Sequence, residues 1–306
     1  MKKVVITGGT GFVGRKLVEE LGRRGDRVVV LTRDAGRAQA KLPSGARAVT
    51  WTPEAEGPWM DELASADAVV HLAGEPVAQR WTEEARRRIV ASRVDSTRLL
   101  VETIGRGARK PSVLVSASAI GFYGARPPNE DLDEQSAPGE GFLADVVQRW
   151  EAEARAVTQH GVRSVQLRIG VVLGEGGGAV EKMILPFKLF AGGHIGDGKQ
   201  AMSWVHRDDV VGLALLAIDD VRVEGPINVV APNPVSGAEM AKAIGRVLKR
   251  PAWLPAPSFA VKMAMGDAAS VVLTGQRVLP KRALELGYAF RHGEIVPALA
   301  SILERS

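Results

Sequence analysis

The chain contains no cysteine. That absence excludes disulfides, thiolate zinc sites, iron–sulfur ligation and a cysteine nucleophile, and it fits a reducing compartment. Long hydrophobic runs are missing too. No stretch approaches the roughly 18 uninterrupted apolar residues of a membrane helix. The run Val4-Val5-Ile6 after Lys2-Lys3 stops at Thr7-Gly8-Gly9, too short for the core of a secretory signal. The chain therefore reads as cytoplasmic, with no membrane partner. Its charges nearly balance: 40 Lys and Arg against 35 Asp and Glu leave a net charge of +5. The five histidines show no metal-ligand spacing, so no metal is expected. There is no Gly-x-Ser-x-Gly elbow and no Walker-type lysine. The cluster Arg86-Arg87-Arg88 has no interleaved aromatics and no helix-turn-helix pattern around it, so no nucleic-acid partner is expected.

What is present is 306 residues, 45% hydrophobic and 25% charged, enough for one large domain or two unequal ones. Short apolar runs at residues 4–7, 27–32, 46–51, 68–73, 112–117 and 164–169 predict strands. Several are almost wholly apolar, as strands covered on both faces must be. Amphipathic stretches at 11–24, 82–105 and 143–160 predict helices between them. This alternation predicts an α/β fold with a Rossmann-type doubly wound parallel sheet. After Ile169 the texture changes. Residues 170–178 hold five glycines, 192–198 hold four, and prolines punctuate the chain beyond 225. The expected organisation is a dinucleotide-binding domain over 1–170, with 205–225 returning to it. A smaller, mainly helical lobe over 171–204 and 226–306 is expected to take the substrate.

The strongest motif is Thr7-Gly8-Gly9-Thr10-Gly11-Phe12-Val13-Gly14, between the first predicted strand and helix. Gly8 permits a tight turn, Gly11 lets backbone approach a pyrophosphate, and Gly14 lets the helix pack closely on the strand. The helix N-terminus then offers N–H groups to phosphate. Gly8, Thr10, Gly11, Phe12, Val13 and Gly14 are therefore cofactor-binding candidates. At the end of the second strand, where an NAD site places an acid, the sequence is Thr32-Arg33. A cation there suits a 2′-phosphate. Arg33, with Thr32 beside it and Arg37 as helper, points to NADP(H). Asp34, one residue past the tip, leaves NAD open as the lesser choice.

Four more segments complete a pattern: Asp67-Ala68-Val69-Val70-His71-Leu72-Ala73-Gly74, Ser116-Ala117-Ser118-Ala119-Ile120-Gly121-Phe122-Tyr123-Gly124, Leu167-Arg168-Ile169-Gly170-Val171-Val172-Leu173-Gly174 and Trp204-Val205-His206-Arg207-Asp208-Asp209-Val210. With the glycine turn they resemble the extended short-chain dehydrogenase/reductase family, the class of nucleotide-sugar epimerases and dehydratases. The run Gly275-Gln276-Arg277-Val278-Leu279-Pro280-Lys281-Arg282, followed by Leu286-Gly287-Tyr288, resembles an atypical subfamily of sugar-nucleotide epimerases. The resemblance implies that Leu72, Ala73 and Gly74 face the cofactor, that the strand with Arg168 reaches cofactor and substrate, and that Ser118 bonds the reacting oxygen.

The chain departs from that family where proton transfer is done. The resemblance implies Tyr-x-x-x-Lys on the helix after the serine strand. The corresponding stretch, Gly141-Phe142-Leu143-Ala144-Asp145-Val146-Val147-Gln148-Arg149-Trp150-Glu151, contains neither residue. Phe142/Val146 and Leu143/Val147 cannot exchange a proton. Where the family has an asparagine, this chain has Arg93, a fixed cation that could bind cofactor or substrate anions. The remaining proton-carrier candidates are Ser118, Tyr123, Asp145 and His206, with Glu75 just after the Gly74 turn a further titratable group and a solvated helix carboxylate the plainer account of Asp145. The sequence reading is thus an NADP(H)-dependent oxidoreductase or epimerase acting on a nucleotide-sugar-like or small carbonyl substrate, with a homodimer compatible. The competing reading is a non-enzymatic NADP-binding sensor.

Overall fold

The computed structural model describes residues 1–53 and 55–304. At its centre is one sheet of seven parallel strands: β1 (Lys3–Thr7), β2 (Arg27–Thr32), β3 (Ala46–Thr50), β4 (Ala68–His71), β5 (Val113–Ala119), β6 (Arg163–Ile169) and β7 (Gly225–Val229). Their spatial order is β3-β2-β1-β4-β5-β6-β7. The order reverses between β1 and β4, the switch point at which open α/β sheets bind ligands beyond their carboxyl ends. The described helices of eight residues or more are α1 (Phe12–Arg23), α2 (Glu83–Ala91), α3 (Val94–Arg106), α4 (Phe142–Arg155), α5 (Gly178–Lys188), α6 (Arg207–Asp219), α7 (Gly237–Leu248), α8 (Ser258–Met265) and α9 (Ile295–Leu303). The expected doubly wound α/β architecture is the one observed.

The strands are apolar because both sheet faces are covered. Val4, Ile6, Val28 and Val30 face one layer, where Leu17, Val18 and Leu21 of α1 pack beside Val210, Leu213 and Ala217 of α6. Val5, Val29, Leu31, Val69 and Leu114 face the other, against Leu100, Val101 and Ile104 of α3. The alternation is the period-2 consequence of the pleat. In α1 the buried positions Gly14, Leu17, Val18 and Leu21 recur at helical spacing. On its exposed side Lys16 pairs with Glu20 at 3.1 Å, one turn along.

Two elements differ from the sequence expectation. The helix expected over 82–105 is broken at Ser92-Arg93. There the Ser92 hydroxyl accepts from the Glu75 N–H at 3.0 Å and donates to the Ile89 carbonyl at 3.1 Å. A tertiary hydrogen bond overrides local helix propensity. The strand β7 was not expected, because it contains Pro226 amid many prolines. It sits at the sheet edge, where a residue without an N–H is tolerated.

A second core lies beyond the sheet. Val180, Ile184 and Phe187 of α5, Met240 and Ile244 of α7, and Leu299 and Ile302 of α9 pack around the fully buried Trp204. The C-terminal tail is tied to α6 by Asp209, itself fully buried. Its carboxylate accepts from the Tyr288 hydroxyl at 3.0 Å and from the N–H groups of Arg291 at 2.8 Å and His292 at 3.0 Å. Such multiply bonded carboxylates offset the cost of burying charge.

Candidate functional site

The glycine turn follows β1 and lies against the end of β4. Gly8 has φ +69°, and a Cβ there would stand 2.7 Å from the Leu72 carbonyl carbon and 2.8 Å from the Ala73 nitrogen. Only glycine fits so close a backbone approach. A Cβ on Gly14 would collide with the Gly8 carbonyl oxygen, so the third glycine is required for the helix to dock on the turn. Gly11 is the N-cap of α1, and no side chain caps the helix. Thr10 and Gly11 are exposed and Phe12 and Val13 half-buried, so the first-turn N–H groups are presented outward. An uncapped N-terminus with a backbone cradle that a Cβ would fill suits a dinucleotide pyrophosphate.

A buried hydrogen-bond chain holds the turn to β4. The Thr7 hydroxyl bonds His71 Nδ1 at 2.6 Å and accepts from the Ala73 N–H at 3.3 Å, while His71 Nε2 bonds the Ser96 hydroxyl at 3.2 Å. Burial, and secondarily the Arg93 charge, push His71 down to about 3. It is therefore neutral at physiological pH.

At the tip of β2, Arg33 is exposed and makes no ion pair among the described residues. The neighbouring Asp34 accepts from the Arg37 N–H at 2.9 Å and so caps the short helix Ala35–Gln39. Arg37 is exposed on that helix and Thr32 half-buried beneath it. The tip thus offers a free cation, with its one nearby acid already bonded.

Gly74, at the end of the β4 loop, covers a second cation. A Cβ on Gly74 would lie 3.2 Å from Arg93 Cζ, whose guanidinium stacks over the Trp150 ring at 5.3 Å. Arg93 bonds the Ile89 carbonyl at 3.3 Å and has no ion-pair partner among the described residues. Burial lowers its pKa to about 10, against a partial counter-effect from Glu75.

Ser118, Tyr123 and Arg168 meet in one buried network. The Ser118 hydroxyl donates to Glu151 Oε1 at 2.6 Å. Arg168 clasps the same carboxylate with Nε at 2.8 Å and Nη2 at 2.9 Å, and it donates to the Tyr123 hydroxyl at 3.0 Å. Tyr123 donates in turn to Asn228 Oδ1 at 2.7 Å, and Glu134 accepts from the Asn228 N–H at 2.9 Å. Burial opposes the charge on Arg168, but its bonds to Glu151 hold its pKa above the ordinary value, while burial pushes the Tyr123 phenol up. Ser118 is 4% exposed, Arg168 2% and Tyr123 0%, so their polar groups serve one another beneath the surface. Their geometry is that of a structural floor, where the sequence reading expects Ser118 and Tyr123 at the substrate and Arg168 at the cofactor.

The other two proton-carrier candidates lie apart from this network. Asp145 is solvated and faces Arg149 one turn along, at 3.6 Å. His206 caps α6, its Nδ1 accepting from the Asp208 N–H at 3.1 Å, and its ring lies on the His292 ring with centroids 3.7 Å apart. Burial first, and then the neighbouring His292, lower His206 to about 4. His206, Asp208 and His292 bring three ligand-type side chains together. Their ligand atoms lie within 4.8 Å of one another, and the two imidazoles stack at 30°. On α4, Leu143 and Val147 face the turn after β5, 3.7 and 3.9 Å from the Cβ position of Gly121. Two aliphatic side chains thus occupy the i, i+4 positions beside the strand ends.

Sequence patterning missed several residues here. Gly174, Gly177 and Gly178 lie against the Phe12 ring, each within 3 Å of it at the Cβ position. Arg207 stacks over the same ring at 4.9 Å and donates to the Glu175 carbonyl at 2.7 Å. The later glycine loop is therefore laid over the start of α1, which its glycine count alone signalled. Arg86 sits over Phe142 at 4.7 Å and Trp81 at 5.4 Å and pairs with Asp267 at 2.8 Å, joining α2 and α4 to the segment after α8. A cavity of about 830 Å³ is lined by Asp197, Gln200, Lys262, Ser270 and Thr274 among others, away from the carboxyl ends of the central sheet.

Residues 4–230 match the model of the NAD dependent epimerase/dehydratase family, and residues 256–302 match a domain of unknown function, DUF1731. The chain is 42% identical over 304 residues to the epimerase family protein SDR39U1 homolog, chloroplastic, of Arabidopsis thaliana, covering 98% of this chain and 86% of that protein. The crystal structure of human epimerase family protein SDR39U1 (isoform 2) with NADPH superposes with a TM-score of 0.87 at 35% identity, covering 99% of this chain and 100% of that one. The UDP-glucuronic acid 4-epimerase of Bacillus cereus, in complex with UDP-glucuronic acid and NAD, shares the fold with a TM-score of 0.80 at 17% identity, covering 99% of each chain.

Two predictions follow from the buried groups. Glu151→Ala strands the Arg168 guanidinium in the interior and should cost about 3–5 kcal/mol in urea unfolding at neutral pH. A loss under about 1 kcal/mol would contradict the network. For His71 the unfolded state binds its proton near pH 6.5 and the folded state only near 3. Its stability contribution is therefore complete above about pH 6.5 and declines as pH falls toward 3, by about 1.4 kcal/mol per pH unit. Unfolding measured from pH 7 down to 5 should show a shallower decline in His71→Asn than in the parent. Equal slopes would place His71 in contact with solvent.

Proposed function

Because the chain belongs to the NAD dependent epimerase/dehydratase family, we propose that it is an NADP(H)-dependent oxidoreductase or epimerase working without the usual tyrosine–lysine pair. Its substrate in this reading is a nucleotide sugar or a small carbonyl compound. The observation that carries the cofactor choice is the tip of β2, where Arg33 is free while Asp34 caps the next helix. The human relative with NADPH, at 35% identity, supports the same choice. Support for a nucleotide sugar comes from the family; the B. cereus enzyme, at 17% identity, supports the fold alone. The reading places the substrate between the sheet's carboxyl edge and a lobe formed by 171–204 and 226–306, in the cytoplasm.

The N–H groups of Thr10, Phe12, Val13 and Gly14 would hold the pyrophosphate, with Gly11 giving it close backbone approach while its own N–H bonds the Gly8 carbonyl at 2.9 Å; Thr32, Arg33 and Arg37 would hold the 2′-phosphate, and Leu72, Ala73 and Gly74 the cofactor's inner edge. Bound NADP(H) supplies the hydride chemistry. Beside Gly74, Arg93 provides a fixed, desolvated positive charge for a reacting oxygen or for the cofactor. It orients and stabilises but donates no useful proton. Ser118 and Tyr123 act as positioning residues through Glu151 and Arg168, and Asp145 and His206 stand outside proton transfer. One observation favours a second reading, a non-enzymatic NADP-binding sensor: the hydroxyls of both Ser118 and Tyr123 are already donated to protein partners.

Calorimetric titration should show NADPH binding more tightly than NADH. Arg33→Ala should weaken NADPH by about tenfold or more and leave NADH unchanged, since a charge-assisted bond is lost. Equal affinities in the parent would remove the Arg33 assignment. NADPH fluorescence over a panel of nucleotide sugars and small ketones should reveal turnover, and Arg93→Gln should lower it by about 10²-fold with the fold intact by circular dichroism. Tight NADPH binding with no turnover across the panel would favour the sensor.

A further inference from the structure

Two stretches of the second lobe carry cations and no carboxylate. Residues 182–196 contain Lys182 and Lys188, and residues 240–266 contain Lys242, Arg246, Lys249, Arg250 and Lys262. Backbone bridges Gly192↔Ala252 and Ile195↔Ala256 set the two side by side, and the Leu254 N–H donates to the Gly192 carbonyl at 3.0 Å. Along this seam large apolar side chains face water. Leu189 is 71% exposed, Phe190 58%, Trp253 70%, Leu254 47%, Phe259 70% and Met263 73%. Phe259 and Met263 stand one turn apart on α8, a helix with no buried residue. Pro251, Pro255 and Pro257 stiffen the chain that presents Trp253 and Leu254. From Leu254 to Phe259 the backbone can extend about 18 Å at most, which keeps these groups in one neighbourhood.

Scattered exposed apolar residues are ordinary, but a grouped set interleaved with cations marks an interaction face, and here Asp197 and Asp267 stand only at its edge, beside Lys262. Here the two chemistries interleave. Lys188 precedes Leu189, Lys262 precedes Met263, and the Arg250 guanidinium lies over the Phe190 ring at 4.4 Å. Lys188, Lys249, Arg250 and Lys262 are exposed, and none forms an ion pair among the described residues.

We propose that this face docks the protein on a membrane surface that contains anionic lipid. The aromatic and aliphatic side chains enter the boundary between headgroups and acyl chains, and the lysines and Arg250 lie at the level of the lipid phosphates. Charge selects this occupant. A second copy of the chain meeting the face across a two-fold axis would set these same cations against one another. An anionic bilayer buries the apolar groups and neutralises the cations together. No described helix is long and apolar enough to cross a membrane, and docking of this kind needs none.

Co-sedimentation of the full-length protein with vesicles tests the proposal. Phosphatidylcholine vesicles should leave it in the supernatant. Vesicles of phosphatidylcholine mixed with phosphatidylglycerol should pellet it, less completely as salt is raised. Lys249→Gln with Arg250→Gln should lower partitioning about 30-fold, and Trp253→Ser with Phe259→Ser at least about tenfold. Both double variants should keep the parent's circular dichroism and NADPH affinity. The proposal is overturned if the two vesicle types pellet the protein equally, or if neither double variant weakens the binding. It is equally overturned if vesicles do not bind while Trp253→Ser dissolves a concentration-dependent dimer, or while a polyglutamate peptide binds in their place.

Discussion

The glycine turn and the end of β4 are in backbone contact at Gly8, and the geometry of the switch point depends on that contact. With Leu72 and Ala73 less than 3 Å from where a Gly8 side chain would begin, the turn has one available path. That path points the uncapped start of α1 outward. The Thr7–His71–Ser96 hydrogen bonds fasten the same junction from beneath and extend it to α3. From there Arg93 turns back under Gly74. One packing constraint thus sets both the phosphate cradle and the position of the nearest fixed cation.

The two halves of the site are built from different materials. The cofactor half is largely backbone, with glycines where side chains would collide and one free arginine at the edge. The chemical half rests on a buried polar network in which every hydroxyl has a protein partner. Glu151 receives both Ser118 and Arg168, so Ser118 is oriented toward α4. On α4 the aliphatic pair Leu143 and Val147 faces the turn after β5, and Trp150 one turn further on carries the Arg93 guanidinium. Removing a tyrosine and a lysine from this helix leaves an apolar wall with a cation at its far end. In the proposed reading that cation polarises a bound oxygen and supplies no proton itself.

Much of this was legible in the sequence because it follows from local periodicity. Six of the seven sheet strands announce themselves as apolar runs, and the glycine spacing between β1 and α1 marks the cradle. The missing tyrosine and lysine are equally plain in residues 141–151. What was not legible depends on partners distant in sequence. The hydroxyl of Ser118 finds a carboxylate 33 residues away, and Tyr123 finds Asn228 at a separation of 105. The break at Ser92-Arg93 comes from a bond to the Glu75 backbone. Pro226 disguises an edge strand, and the resting state of Asp34 as a cap is visible only once the short helix after it is in place. The exposure of the apolar side chains of α8 is visible only in the fold.

The central claim is that a retained NADP(H) cradle serves a site in which the buried Arg93 cation lies beside Gly74. A crystal structure of the protein with NADPH tests it most directly. The account predicts the pyrophosphate on the N–H groups of the first turn of α1, the 2′-phosphate within about 3 Å of the Arg33 guanidinium, and the nicotinamide beside Gly74 and Arg93. A 2′-phosphate left in solvent with Arg33 turned away, or a nicotinamide remote from Arg93, would contradict it.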